Sequence, residues 1–322
     1  MTARASGGFT AQPAQQVQPA PGLLRARVFM VLNVLSNSAS NIVERLALSV
    51  VPPVTVSSIE VWTTAAISLL LRLVQARRDP GARVDARCSD SLGVELWHFA
   101  AAGLLGQVIG SYSFLTAARA GGIGFTVAIA QTWSLWAIVL GILTLREQGS
   151  LRLVIGLPAA LVGTVLISTQ HQSFSDLSGY VSTGLPWAII ASLCWAGSSV
   201  LIRRGLSRGA DSRIGFVVQY LTASMLLAIR AFADPAPLAH LSLARVALIA
   251  SAGILAGVLA MGLMYRALAI CPISKVMLIS ASYPAIVNLL SWAILGELLT
   301  IRGVIGTLLV TSACVWTQAE KA

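Results

Sequence analysis

Residues 147–156 read EQGSLRLVIG, and residues 297–306 read ELLTIRGVIG. The two segments lie about 150 residues apart and share a glutamate, an arginine and the run Val-Ile-Gly at the same spacing. Glutamate and arginine are uncommon in apolar segments, so their recurrence carries more weight than that of matching leucines. The pair of segments indicates that the chain contains one unit twice.

The match extends outward from these segments over much of the chain. At the same offset Ala102-Gly103 falls on Ala252-Gly253, and a slightly larger offset places Ser40 on Ser199. Chance alignment of two apolar regions is the alternative explanation. The shared polar and glycine positions favour an internal repeat over that alternative.

The composition is that of a membrane protein. Of the 322 residues, 56% are hydrophobic and only 11% are charged, and the mean hydropathy is +0.81. Soluble domains carry about 25% charged residues, which they need to cover a surface that faces water. A protein surface that faces lipid does not need charged residues. The composition therefore indicates that the chain crosses a lipid bilayer.

About ten stretches are long and apolar enough to be spanning helices. Spans of this length satisfy their backbone hydrogen bonds internally, so helices are expected and barrel strands are not. The stretches run near Val28–Val50, Ser57–Leu73, Leu96–Ala118, Ile123–Leu145, Leu151–Thr169, Gly184–Ile202, Ile214–Ala233, Leu243–Ala267, Ile273–Leu295 and Val304–Thr317.

Each half of the chain holds an odd number of these stretches, about five. The second half therefore starts from the opposite side of the membrane, which makes the two halves an inverted repeat. We predict an all-α integral membrane protein with ten transmembrane helices. Its parts are a disordered cytoplasmic tail (1–26), a first five-helix repeat (27–170) and a second five-helix repeat (180–318). No signal peptide is expected in residues 1–26, because they lack an apolar core.

The basic residues predict the orientation. If the N-terminus is placed in the cytoplasm, most of the 22 lysine and arginine residues fall in inner loops, including Arg77-Arg78 and Arg203-Arg204. The opposite orientation would place them outside. Both termini are therefore predicted to be cytoplasmic, in the plasma (inner) membrane.

Several functional classes are excluded by the same sequence. The net charge of +10 does not form a basic patch with interleaved aromatic residues, so we expect no nucleic-acid partner. The histidines and cysteines show no metal-ligand spacing, so we expect no metal or other cofactor. HExxH, GxSxG and Walker motifs are missing, which argues against an enzyme and against ATP-driven transport.

The second half carries a further pattern: Tyr265-Arg266-Ala267-Leu268, Ser274-Lys275, Tyr283-Pro284 and Leu295-Gly296-Glu297. With these motifs the chain resembles the drug/metabolite transporter superfamily, EamA type. The resemblance implies ten helices in two inverted repeats, cytoplasmic termini and transport of small metabolites, often outward. The first half departs from the pattern, because Ser134 stands in place of the proline and Arg146-Glu147 in place of Gly-Glu.

The first apolar stretch carries polar residues along one face. Asn33, Asn37, Ser40, Asn41 and Glu44 recur with helical spacing. Because polar groups in lipid are costly, this face lines either an aqueous path or a helix–helix contact made by hydrogen bonds. The functional interpretation assigns Asn37, Ser40 and Asn41 to substrate binding.

Further candidates lie in the sixth, ninth and fourth stretches. Trp195 and Ser199 form a similar face in the sixth, where Trp195 either stacks on the substrate or packs. Pro284 is a candidate hinge that either exposes a carbonyl at the site or kinks the helix. Asn288, on the same face, and Gln131 are further substrate-binding candidates, with Gln107 and Ser111 as weaker ones.

Lys275 begins the ninth stretch near its cytoplasmic end. It either extends to the membrane surface or enters the cavity, where it would favour an anionic substrate. Four glutamates (Glu44, Glu60, Glu147 and Glu297) are expected toward helix ends, so a proton-coupled antiporter built on a central glutamate is not expected.

These features together predict a secondary transporter that moves a small organic metabolite, such as an amino acid or a related compound, across the plasma membrane by alternating access. Export is the expected direction. The alternatives are a lipid-linked sugar flippase and a non-transporting membrane subunit or receptor.

Overall fold

A computed structural model describes residues 21–48, 51–78, 92–121, 123–147, 151–171, 183–233, 238, 241–296, 298 and 300–318. All regular elements in these ranges are helical. The α-helices are α1 (Pro21–Leu48), α2 (Pro53–Arg78), α3 (Leu92–Ala102), α4 (Ser111–Gly121), α5 (Ile123–Ala130), α6 (Trp133–Leu145), α7 (Leu151–Ser168), α8 (Leu185–Ser207), α9 (Ser212–Ala233), α10 (Leu243–Gly253), α11 (Gly262–Ile270), α12 (Ile273–Ser280), α13 (Tyr283–Leu290) and α14 (Ile301–Gln318). Three π-helical segments, Gly103–Gly110, Ile254–Met261 and Ser291–Leu295, continue α3, α10 and α13.

Seven helical stretches in the described ranges are long and apolar enough to cross a membrane. They are Val54–Gln75, Glu95–Ala117, Thr126–Leu145, Leu185–Ser207, Ser212–Ala233, Leu243–Ile270 and Ile273–Ile294. The outer surface of the bundle is apolar, as Leu143, Phe232 and Leu308 illustrate with exposed fractions of 72%, 87% and 64%. The protein is a multi-pass membrane protein.

Helix α1 begins earlier than the sequence predicts. The structure places residues 21–26 in α1, whereas the predicted tail extended to residue 26. The reason is local: Pro21 suits the first turn of a helix, and Leu23, Leu24 and Ala26 are good helix formers. Residues 1–20 of the predicted tail lie outside the described residues.

Two of the spans are interrupted at corresponding positions. Helix α5 ends at Ala130 and α6 starts at Trp133, while α12 ends at Ser280 and α13 starts at Tyr283. Pro284 explains the second interruption, since it has no N–H to continue the hydrogen-bond ladder. The first interruption occurs without a proline, around Gln131. Ser134 in place of proline therefore does not restore a continuous helix.

The helices form two bundles that exchange their first members. Helix α1 leaves the first half of the chain and packs against α10 to α13. Helix α8 begins the second half and packs against α3 to α6. We call α3–α6 with α8 the α8 bundle, and α10–α13 with α1 the α1 bundle. Helix α7 pairs with α14, and α2 pairs with α9.

Glycines allow these helices to approach closely. A Cβ atom on Gly253 would lie 2.9 Å from the Cα of Glu60, and one on Gly106 would lie 2.7 Å from the Ser198 Oγ. A Cβ on Gly103 would collide with the backbone carbonyl oxygen of Gln219. These contacts involve backbone or short side chains, so the space cannot be recovered by moving a flexible group.

Replacing Gly103 by alanine tests this packing. We expect Gly103→Ala to lower the free energy of unfolding by about 1–3 kcal/mol, because the added methyl group overpacks a backbone contact. Thermal unfolding in detergent measures the effect. Gly262→Ala is the matched control: its Cβ would meet nothing within 4 Å, and it should be neutral or stabilising by up to about 1 kcal/mol. Equal effects of the two substitutions would contradict the packing argument.

Candidate functional site

The polar face of α1 is turned toward the π-helical segment of the α1 bundle. The Asn33 Nδ2 donates to the carbonyl of Ala260 at 2.7 Å, and the Ser36 Oγ donates to that of Leu255 at 2.8 Å. The Ser40 Oγ lies 3.1 Å from the carbonyl of Ala252. Part of this face therefore makes helix–helix hydrogen bonds.

Helix α8 repeats this arrangement in the other bundle. The Trp195 Nε1 donates to the carbonyl of Gly106 at 3.0 Å, and the Ser198 Oγ donates to that of Ala102 at 2.9 Å. Ser199 instead donates within its own helix, to the carbonyl of Trp195 at 3.0 Å. The Trp195 ring also contacts Phe114, with 5.4 Å between the ring centroids.

Other candidate residues retain unused hydrogen-bonding capacity. Asn37, Gln107 and Gln131 are only partly exposed, and their side chains make no hydrogen bond within the described ranges. Gln131 lies at the interruption between α5 and α6. Partly buried amides without partners are unusual in a folded protein, and they are free to bind a solute or water.

Two further candidate residues belong to side-chain networks near α13. The Asn41 Nδ2 donates to the hydroxyl of Tyr283, the first residue of α13, which ties α1 to the second helix interruption. Asn288 accepts from the Gln170 Nε2 at 2.6 Å and donates to the Thr307 Oγ1 at 3.2 Å. The second network connects the end of α7 with α13 and α14, away from α1.

Lys275 is separate from these groups. It is exposed at the end of the bundle where α1 begins, in a groove also lined by Arg27 and Cys271. The eight residues that the sequence proposed for substrate binding therefore do not form one cluster. Asn41 meets Tyr283, Ser40 and Trp195 contact backbone carbonyls, and Asn288 and Lys275 lie elsewhere.

Glu44 and Glu60 come together, although they belong to different helices. Ser40 donates to the Glu44 Oε1 at 2.7 Å, and the side chains of Glu44 and Glu60 lie close enough to interact electrostatically. The Glu60 Oε1 is buried without a hydrogen-bond partner in the described residues. Sequence reasoning treated each glutamate separately and missed the pairing, because the pairing depends on how α1 and α2 pack.

Glu147 makes the densest polar contact between the two bundles. Its carboxylate accepts from the backbone N–H of Ile273 at 2.8 Å, and from the N–H and the Oγ of Ser274 at 3.2 Å each. The Arg203 Nε lies 3.7 Å from the Glu147 Oε1. The carboxylate thus caps the N-terminus of α12, where the helix dipole favours negative charge.

The backbone of Arg146 directs Glu147 into this contact. Arg146 has a φ of 55°, in the left-handed region, and Gly296 has a φ of 69° at the equivalent position of the second half. Arginine therefore keeps the conformation that the Gly-Glu pattern provides with glycine. A left-handed conformation costs a non-glycine residue about 1–2 kcal/mol.

In the described part of the chain, His, Cys, Asp and Glu residues form no group of three or more that could hold a metal ion.

Comparison with known proteins identifies the family. The family model of the EamA-like transporter family matches residues 24–169 and again residues 182–318. The chain belongs to the EamA-like transporter family. The two matches correspond to the two halves recognised from the repeated segments, so this EamA-like transporter consists of two repeats.

A crystal structure also resembles the EamA-like transporter. The two chains are 15% identical and superpose with a TM-score of 0.71, over 90% of this chain and 95% of the other. At this identity the likeness shows the fold alone. No curated protein matches the sequence.

Substitutions at Arg146 and Gly296 test the left-handed turn. Arg146→Gly should raise the free energy of unfolding by about 1 kcal/mol, because glycine adopts this conformation without the steric cost. Gly296→Ala should lower it by about 1 kcal/mol; a Cβ there would meet no atom within 4 Å, so the cost is conformational. Thermal unfolding of both variants measures the changes, and a shift of the same sign in both would contradict the argument.

Proposed function

We propose that this EamA-like transporter is a secondary transporter that moves a small organic metabolite across the plasma membrane by alternating access. The observation that carries the proposal is the pair of helix interruptions at corresponding positions, before Trp133 and before Tyr283. Interrupted helices at equivalent points of two repeats are typical of transporter sites near the middle of the membrane.

The proposal includes ten spans in two inverted repeats, residues 27–170 and 180–318, with both termini in the cytoplasm. Seven spans are long and apolar. Helix α1 and the shorter apolar helices α7 and α14 supply the other three. A helix of 18 residues is about 27 Å long, close to the thickness of the hydrocarbon core.

The substrate site lies between the two bundles, at the helix interruptions. Asn37 and Gln131 offer amides that have no partner in the described residues, and Asn41 and Tyr283 lie at the second interruption. Trp195 presents an aromatic face beside the π-helical segment of the α8 bundle. Amides and aromatic rings suit a polar, uncharged or zwitterionic metabolite such as an amino acid or a related compound.

The direction we propose is export. The test is untargeted metabolite profiling of cells and medium, comparing a strain that lacks the protein with its complemented parent. A compound that accumulates inside the deficient strain and returns to the medium on complementation identifies the substrate and supports export. A compound depleted inside the deficient strain would indicate import. Equal fluxes of all tested solutes under both gradient directions would contradict transport and favour a receptor or assembly role.

Two substitutions on α1 separate transport from packing. Asn37→Leu should reduce substrate flux by about tenfold or more with unchanged thermal stability, because it removes a hydrogen bond made only with the transported solute. Asn33→Leu is the matched control. It should lower the free energy of unfolding by about 0.6–1.7 kcal/mol, because Asn33 bonds the carbonyl of Ala260. Normal flux through Asn37→Leu would show that Asn37 does not bind the substrate.

A further inference from the structure

The contact of Glu147 joins the two bundles at one end of the molecule. Glu147 follows α6, in the α8 bundle, whereas Ile273 and Ser274 begin α12, in the α1 bundle. Arg203 extends the contact, since it lies in α8 and donates from Nη1 to the carbonyl of Leu268 in α11 at 2.6 Å. Two residues of one bundle thus hold the junction between α11 and α12 of the other.

The surrounding packing places this contact at a closed seam. The side chains of Glu147 and Arg203 are exposed by only 9% and 19%. A Cβ on Gly141 of α6 would collide with the Ile273 side chain, so α6 and α12 touch directly beneath the carboxylate. Ile273 is fully buried and Ser274 is 3% exposed. The Ile273 side chain becomes accessible to water only if the two bundles separate at this end.

We propose that Glu147 is a gating residue: its carboxylate holds the cytoplasmic side of the transporter closed by capping α12 across the bundle interface, and releases α12 when that side opens. The inference rests on the proposed alternating access and on the proposed cytoplasmic termini, which place this end in the cytoplasm. Opening exchanges the hydrogen bonds of Ile273 and Ser274 to Glu147 for hydrogen bonds to water. This exchange is reversible because all the groups involved are well solvated when exposed.

Glu147 interacts with two partners, α12 and Arg203, to different extents. The carboxylate receives three hydrogen bonds from α12 and an ion pair at 3.7 Å from Arg203, which belongs to its own bundle. Arg203 makes one hydrogen bond of its own across the interface, to the carbonyl of Leu268, whereas Glu147 accepts three. Removing the charge of Glu147 therefore weakens the contact across the interface more than removing the charge of Arg203 does. This difference distinguishes a cap on α12 from a simple ion pair.

The experiment measures opening by thiol labelling, which needs no knowledge of the substrate. The reporter is Ile273→Cys in a chain with the other cysteines replaced (Cys88→Ser, Cys194→Ala, Cys271→Ala and Cys314→Ala), in vesicles whose cytoplasmic face is outward. A membrane-impermeant maleimide is the probe. Glu147→Gln should increase the labelling rate of the reporter about tenfold, since a lost charge-assisted contact corresponds to about that factor. Arg203→Gln should increase it about threefold.

Two controls separate gate opening from general loosening. Cys314 is 8% exposed and its Sγ donates to the carbonyl of Leu278, within the second half of the chain. A chain that retains only this cysteine should be labelled at the same rate with and without Glu147→Gln. Glu95→Gln is the matched charge control, because Glu95 forms an ion pair of 3.9 Å with Arg208 near the same end. It should leave labelling of the reporter unchanged.

Faster labelling of the reporter alone supports the gate. Unchanged labelling in Glu147→Gln, or an equal increase at Cys314, would overturn it. If Glu147→Gln yields no folded protein, Ser274→Ala, which removes the hydrogen bond from the Ser274 Oγ to Glu147, decides the outcome by the same two criteria. The labelling result does not depend on substrate flux. Labelling can support the gate even if metabolite profiling finds no substrate. Conversely, profiling can establish transport while labelling shows that Glu147 does not hold the cytoplasmic side closed.

Discussion

The structure depends on a requirement of the membrane interior, where every exposed backbone carbonyl needs a donor. The π-helical segments after α3 and α10 shift the hydrogen-bond ladder, and carbonyls in and around these segments accept from side chains instead. Ser198 and Trp195 donate to carbonyls at the first segment, and Ser36 and Asn33 donate to carbonyls of the second. In both cases the donors come from the first helix of the opposite half. The exchange of α1 and α8 between the bundles therefore has a chemical basis as well as a steric one.

The same bonds explain why the polar face of α1 is only partly available to a solute. A side chain that bonds a backbone carbonyl is occupied in holding the bundle together, as Asn33 illustrates. Asn37, on the same face, has no such partner among the described residues. Polar residues that bond a neighbouring helix and polar residues without such a partner in the described ranges thus lie on the same face of one helix. The difference depends on which residues lie opposite a carbonyl of the π-helical segment.

The interface between the bundles has a polar contact at one end, and the helices that form it are interrupted farther along. Glu147 ties the start of α12 to the end of α6 through three hydrogen bonds. Farther along the same spans, α5 is separated from α6, and α12 from α13, by a short interruption. A transporter needs both properties, because a site in the middle of the membrane is useful only if each end can close in turn.

The sequence by itself determined that the chain is a helical membrane protein made of two related halves. Apolar length, the scarcity of charge and the matched segments at Glu147 and Glu297 are local or periodic features, so they can be read without a structure. It did not determine which of the polar residues on one helical face bind a neighbour, or that α5 and α6 are separated without a proline. Nor did it show that Arg146 adopts the left-handed conformation of Gly296, or that Glu44 meets Glu60. Only the tertiary structure decided these points, because hydrogen-bond partners and bundle membership depend on residues far apart in the chain.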